Sequence, residues 1–167
     1  MAGEELLREA AGLLKFPLRF DPKTRRAIIL DKTENRQYHI ELPTKSPFLY
    51  IYAVLRKLGP DRENTAFLRA LLELNLFGLQ TNTTTLGLDG EADSLVVHLA
   101  YPLEFLTPQL LVNVIGNFVA TVRKVHEKIE NLAITTNQEL RHRKTHFSAA
   151  DALGKGKSKE EIRIIRI

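Results

Sequence analysis

Along residues 4–15, Leu6, Ala10, Leu13 and Leu14 recur at helical spacing, with Glu4, Glu5, Arg8 and Lys15 elsewhere on the wheel. That period predicts an amphipathic helix, which Pro17 should stop. Asp21-Pro22 marks a turn, and from there the period changes to two. "RRAIILD" (25–31) and "RQYHIEL" (36–42) flank the turn residues "KTEN", with Tyr38, Ile40 and Leu42 on one face, which predicts a β-hairpin. Pro43 and Pro47 bracket the next connection. "FLYIYAVL" (48–55) follows, a strand apolar on both faces.

After "GPD" (59–61) a helix is expected over 62–77, with Asp61 as its N-cap and Gly78 as its C-terminal cap. Its apolar residues cover most of the circumference, more than the single stripe of a surface helix requires. "TTTLGLDG" and "SLVVHLAY" read as a second hairpin with a type I′ turn at Asp89-Gly90. Thr107 as N-cap and Pro108 in the first turn open a long helix to about residue 132. Along it Leu111, Ile115, Phe118, Val122, Val125, Ile129 and Leu132 repeat at alternating spacings of four and three. The predicted order is α-β-β-β-α-β-β-α, an α+β fold with a twisted antiparallel sheet. The apolar surface of 48–55 and 62–77 exceeds what one small core buries on one side. It implies an oligomer interface, an apolar ligand, or both.

At 167 residues the chain is long enough for one domain with a real core. We divide it into a body, 1–132, and a flexible basic tail, 133–167. Net charge is +4, and all of the excess lies after residue 131; residues 1–131 carry equal numbers of basic and acidic side chains. That distribution argues against a nucleic-acid-binding body. It leaves "RHRKTH" (141–146) open as a phosphate contact or a solubilising extension. "IRIIRI" (162–167) could instead add a strand to a sheet edge. The absence of Cys excludes disulfides, thiolate metal sites and a cysteine nucleophile. The early acids, and the lack of an apolar run of about 18 residues, predict neither a signal peptide nor a membrane span. A cytoplasmic protein is expected.

No catalytic constellation emerges. His142 and His146 have i, i+4 spacing but lie in a basic polar segment with no assisting carboxylate, so a solvated segment is preferred over a metal site. His98 in "VVHLA" reads as a partly buried strand residue. "DGEAD" (89–93) lacks the length and alternating ligands of a calcium loop. "GKGKSK" (154–159) lacks the glycine spacing of a phosphate-binding loop. No enzyme and no cofactor are expected.

With these elements in this order, "LLELN" near a helix end, then "LGLD", then a strand leading into "YPLEFLTPQLL", the chain resembles the class I type III secretion chaperones of the Tir-chaperone family over roughly residues 4–131. The resemblance implies a homodimer with the second helix at its interface, where Phe67, Leu71, Leu72 and Leu74 are candidates. It implies binding, without nucleotide, of the extended N-terminal segment of a secreted effector, with the ATPase of a bacterial secretion apparatus as a further partner. Candidate effector contacts are Leu6, Leu13, Leu14, Ile28, Leu30, Leu49 and Ile51, each of which could equally be core packing. A nucleic-acid-binding or partner-sequestering regulator using the basic tail is the alternative.

Overall fold

The computed structural model describes residues 3–14 and 18–154; for Arg19, Arg62 and residues 143–154 it describes the backbone alone. Pro17, His146, "GKGKSK" beyond its first residue, and "IRIIRI", all named above, lie wholly or in their side chains outside what is described. In chain order the elements are α1 (Gly3–Leu13), β1 (Arg19–Asp21), β2 (Arg26–Asp31), β3 (Arg36–Glu41), β4 (Phe48–Lys57), α2 (Thr65–Leu74), β5 (Thr85–Asp89), β6 (Ser94–Pro102) and α3 (Pro108–Gly154). Six strands form one sheet in the order β1-β2-β3-β4-β6-β5, every neighbouring pair antiparallel.

Side-chain alternation divides the sheet into two faces. Ala27, Ile29, Tyr38, Ile40, Leu49, Ile51, Ala53, Leu95 and Val97 are all buried and form the sheet's half of the core. The other half comes from Leu6, Leu7 and Ala10 of α1, Phe67 and Leu71 of α2, and the stripe Leu111, Ile115, Phe118, Val122, Val125 and Ile129 of α3. Phe118 meets Tyr38 edge-on at 6.3 Å. The open face carries Arg26, Ile28 and Leu30 on β2, His39 on β3, and Tyr50, Tyr52 and Val54 on β4.

Three hairpins share one device. Asp21, Asp31 and Asp89 each end a strand, four residues follow, and the fourth (Arg25, Asn35, Asp93) takes a left-handed conformation before the partner strand begins. Each aspartate accepts a backbone N–H within its loop, from Lys23, Thr33 and Ala92, at 2.9 Å. Four-residue loops of this kind suit the sheet's twist. The turn expected at Asp89-Gly90 is therefore longer than a two-residue type I′ turn, and its positive φ belongs to Asp93 rather than Gly90.

Four further expectations need correction. A sixth strand, β1, precedes the predicted hairpin and pairs with β2; three residues are too few to show a period. The second helix is shorter than 62–77 and is capped by Asn64, whose carboxamide oxygen accepts from the Phe67 N–H at 3.1 Å. Asp61 lies instead in a preceding 3₁₀ turn, Gly59–Glu63. The last helix does not stop near 132: Ala133 and Thr136 continue its buried stripe and the backbone stays helical to Gly154, so the boundary set at 132–133 falls inside α3.

Candidate client-binding and self-association surfaces

Strand β1 is one of the two edges of the sheet, β5 being the other, and α1 lies beside it. Between them Glu4, Leu7, Arg8, Ala11, Leu18 and Phe20 line a groove of about 460 Å³. Leu7 closes its floor, fully buried; Ala11, Leu18 and Phe20 remain partly open, and Glu4 and Arg8 form the rim. Arg25 pins α1 in place, its Nη1 donating to Glu4 Oε1 and its Nε to the Leu42 carbonyl, both at 2.7 Å. Leu13, 52% exposed, and the partly buried Leu14 continue the apolar surface at the end of α1. An apolar floor with a charged rim suits aliphatic side chains of a segment that keeps its polar groups in water.

Around the same edge, on the open sheet face, Ile28 and Leu30 are 42% and 48% exposed. Register places Ile28 opposite His39, His39 opposite Tyr52, and Tyr52 opposite His98, in one row across β2, β3, β4 and β6. The His39 and Tyr52 rings stack at 4.9 Å. Burial pushes both imidazoles below the ordinary histidine pKa, with the Arg26 guanidinium adding to the shift of His39. The shift favours the neutral, less polar form of both rings. At the edge of this face Arg26 pairs with Glu41 at 3.2 Å.

A second apolar surface lies at the end of α2. Leu72, Leu76, Phe77 and Leu79 are strongly exposed, Phe77 the most at 84%. Phe77 also has φ of 56°, a left-handed conformation that costs an aromatic residue free energy. The segment is held by Asn75, whose carboxamide donates to the Leu86 carbonyl at 2.9 Å and accepts from the Leu86 N–H at 2.7 Å. Further on, the Asn82 carboxamide donates to Thr121 of α3. A strained, firmly anchored and uncovered apolar segment marks a surface built to be covered.

Of the candidate contacts named from the sequence, Leu6, Leu49 and Ile51 are core residues, at most 2% exposed, and cannot offer a side chain to a client. Leu13, Leu14, Ile28 and Leu30 retain free surface on the two sides of the β1 edge. Phe67, Leu71 and Leu74 turn inward, leaving Leu72 as the outward member of the predicted interface set. Leu18, Phe20, Leu76, Phe77 and Leu79 were not singled out. Leu76 and Phe77 fall within the helix expected over 62–77, as part of its apolar surplus, and "LFGL" with its glycine is the available sign of a turn. Among the described residues, no three His, Asp or Glu side chains are grouped to hold a metal, and no helix is long and apolar enough to cross a membrane.

Comparison with known proteins accords with this geometry. A Tir chaperone of Citrobacter freundii is 30% identical over 103 residues, 61% of this chain; the match spans 65% of that relative's length. Among solved structures, a chain of the HopA1–SchA chaperone–effector complex superposes with a TM-score of 0.59 at 17% identity, covering 77% of this chain and 93% of that one. A chain of the ExsC–ExsE complex gives 0.57 at 19%, covering 78% and 92%. A chain of the ExoU–SpcU heterodimer from the type III secretion system of Pseudomonas aeruginosa gives 0.54 at 15%, covering 75% and 94%. At these identities the likeness is one of fold. The model of the Tir chaperone protein (CesT) family matches residues 5–126, most of the chain and all but the last turns of its packed body, and the chain belongs to that family.

Proposed function

We propose that this protein is a cytoplasmic, ATP-independent chaperone that binds the N-terminal segment of a type III secreted effector in extended form and keeps it secretion-competent. The observation that carries the reading is the pairing of two apolar surfaces around one free sheet edge: the α1 groove on one side, Ile28 and Leu30 on the other. An extended chain passing over β1 can set alternate apolar side chains into both surfaces while its backbone pairs with the edge. Such a client loses conformational entropy on binding, so several separated apolar contacts are needed for useful affinity. Binding alone accounts for the site, with no catalytic step and no cofactor. Family membership and the chaperone–effector complexes of the same fold support the reading.

We further propose a homodimer through Leu72, Leu76, Phe77 and Leu79. It would cover the three most exposed large apolar side chains among the described residues, Phe77, Leu79 and Leu72, and present two client surfaces. The ATPase of the secretion apparatus is proposed as the partner that receives the loaded dimer.

The test is purification of the tagged chain from the source bacterium's cytosol, nuclease-treated and washed at high salt, followed by limited proteolysis. The expected result is one co-purifying protein with a protected N-terminal segment, lost in the variants Ala11→Glu and Ile28→Ser/Leu30→Ser. Retention of nucleic acid alone before the wash, or protein capture indifferent to both variants, overturns the proposal.

A further inference from the structure

The family match ends at residue 126, yet two buried polar residues before α2, Asp61 and Asn64, make hydrogen bonds to a part of α3 that lies beyond it. Asp61, 6% exposed, has both carboxylate oxygens engaged: Oδ2 accepts from Arg56 Nη2 at 2.7 Å, and Oδ1 accepts from the Asn137 carboxamide at 2.8 Å. Arg56 reaches α3 as well, through Glu130 Oε2 at 3.3 Å, and its guanidinium lies 5.7 Å from the centre of the Phe67 ring. The Asn64 carboxamide caps α2 with its oxygen while its nitrogen donates to Thr136 Oγ1 at 3.3 Å and to Asn137 Oδ1 at 3.4 Å. Asn64 and Thr136 are both buried. The cap of α2 is thus held on one side by its own helix and on the other by the part of α3 beyond residue 132.

We infer that Thr136 and Asn137 are positioning residues for the self-association surface: they fix the N-terminal end of α2, and through it the direction in which α2 presents Leu72 and Leu76. The inference rests on the homodimer reading above. Its physical basis is that α2 is only ten residues long, too short to hold its conformation alone, so its orientation depends on what holds its ends. At the C-terminal end Asn75 ties it to β5. At the N-terminal end the ties are Asn64 to Thr136 and Asn137, and the buried Asp61 that Asn137 shares with Arg56. A buried, fully satisfied polar group of this kind specifies one arrangement where apolar packing alone tolerates several.

The experiment uses the full chain with Asn137→Ala and Thr136→Ala, with Thr136→Ser and the exposed Gln138→Ala as controls. Sedimentation equilibrium gives the dimer Kd, and amide hydrogen exchange is read at Phe67 and Leu68 of α2 and at Ile51 of β4. The expected result is a dimer weakened about tenfold by Asn137→Ala. Exchange should be faster at Phe67 and Leu68 and unchanged at Ile51, and both controls should behave as the parent. A uniform rise in exchange across α2 and β4 would show general destabilisation and overturn the positioning role. An unchanged dimer Kd with unchanged α2 exchange would overturn it too. If the parent chain is monomeric at every concentration, the dimer reading falls, and local exchange at Phe67 and Leu68 alone decides whether α3 holds α2.

Discussion

Asn137 donates its carboxamide to the buried Asp61 at 2.8 Å across 76 positions of sequence, closing a partly buried contact between the 3₁₀ turn before α2 and the far part of α3. Asp61→Ala removes the acceptor of both Arg56 and Asn137 and leaves the guanidinium without its closest partner. We expect a loss of about 3 kcal/mol in urea denaturation, in the range for one half of a buried charged pair. Asp61→Asn, which keeps an acceptor for Asn137, should cost less. Equal losses in the two variants would show that the Asn137 bond contributes nothing.

Core and surface leucines that the sequence ranks together should part company. Leu49→Ala, deleting a fully buried side chain, should cost about 2–5 kcal/mol in chemical denaturation. Leu30→Ser, at a half-exposed position, should change stability by less than about 1 kcal/mol and weaken client capture instead. A large stability loss for Leu30→Ser would place that side chain in the core.

Leu72→Asp should convert the proposed dimer to a monomer without lowering the melting temperature at low protein concentration, because the side chain is 71% exposed within the subunit. A charge at the centre of an apolar interface is expected to raise the dimer Kd at least a hundredfold. Light scattering over a concentration series reads this directly, and an unchanged mass excludes α2 from the interface.

His39 and His98 make the acid side of the stability curve predictable in sign. Burial lowers both folded-state values, so the folded chain binds fewer protons than the unfolded one. Their contribution is present in full above the unfolded value of about 6.5 and erodes as pH falls from there toward the folded values. Melting temperatures from pH 7.5 to 5 should therefore decline less in His39→Gln/His98→Gln than in the parent chain. Parallel curves would show that both rings bind protons equally in the folded and unfolded chain, so that burial does not shift them.

Asp31 behaves in the same direction at lower pH. The hydrogen bond from Arg123 at 2.6 Å holds its carboxyl below the usual range, so the pair stabilises above about pH 4 and is lost as acid protonates Asp31. Arg123→Gln should shift the acid-unfolding midpoint upward in pH, by a small amount because the guanidinium is about half exposed. No shift would assign acid unfolding to other groups.

Periodicity and punctuation carried most of the fold. The period of two in β2 and β3, the two-faced apolar run of β4 and the four-three stripe of α3 are direct records of which side chains meet the core. Aspartates and glycines located the turns, and "KTEN" marks its loop at the full four residues, but the four-residue length of the other two loops and the positive φ at the last position of each were not legible. β1 was missed because three residues carry no period. Asp61 was read as a helix cap because an acid before an apolar helix is the commonest use of such a residue; its partners Arg56 and Asn137 are brought to it only by packing.

The order of elements, the antiparallel sheet and the family are local and cumulative properties, each set by neighbours within a few residues, and the chain specifies them unaided. Whether a given leucine is core, groove or interface depends on which face of the sheet or helix another element covers. Leu49 and Leu30 illustrate it: similar side chains in similar strands, one sealed under the helices and the other left open. Covering is a long-range event, decided by how α1, α2 and α3 all settle on one side of the sheet. Only the tertiary structure could therefore bring Leu7, Ala11 and Phe20 together as a groove, turn Leu72 outward, and carry α3 past the expected boundary to reach Asp61.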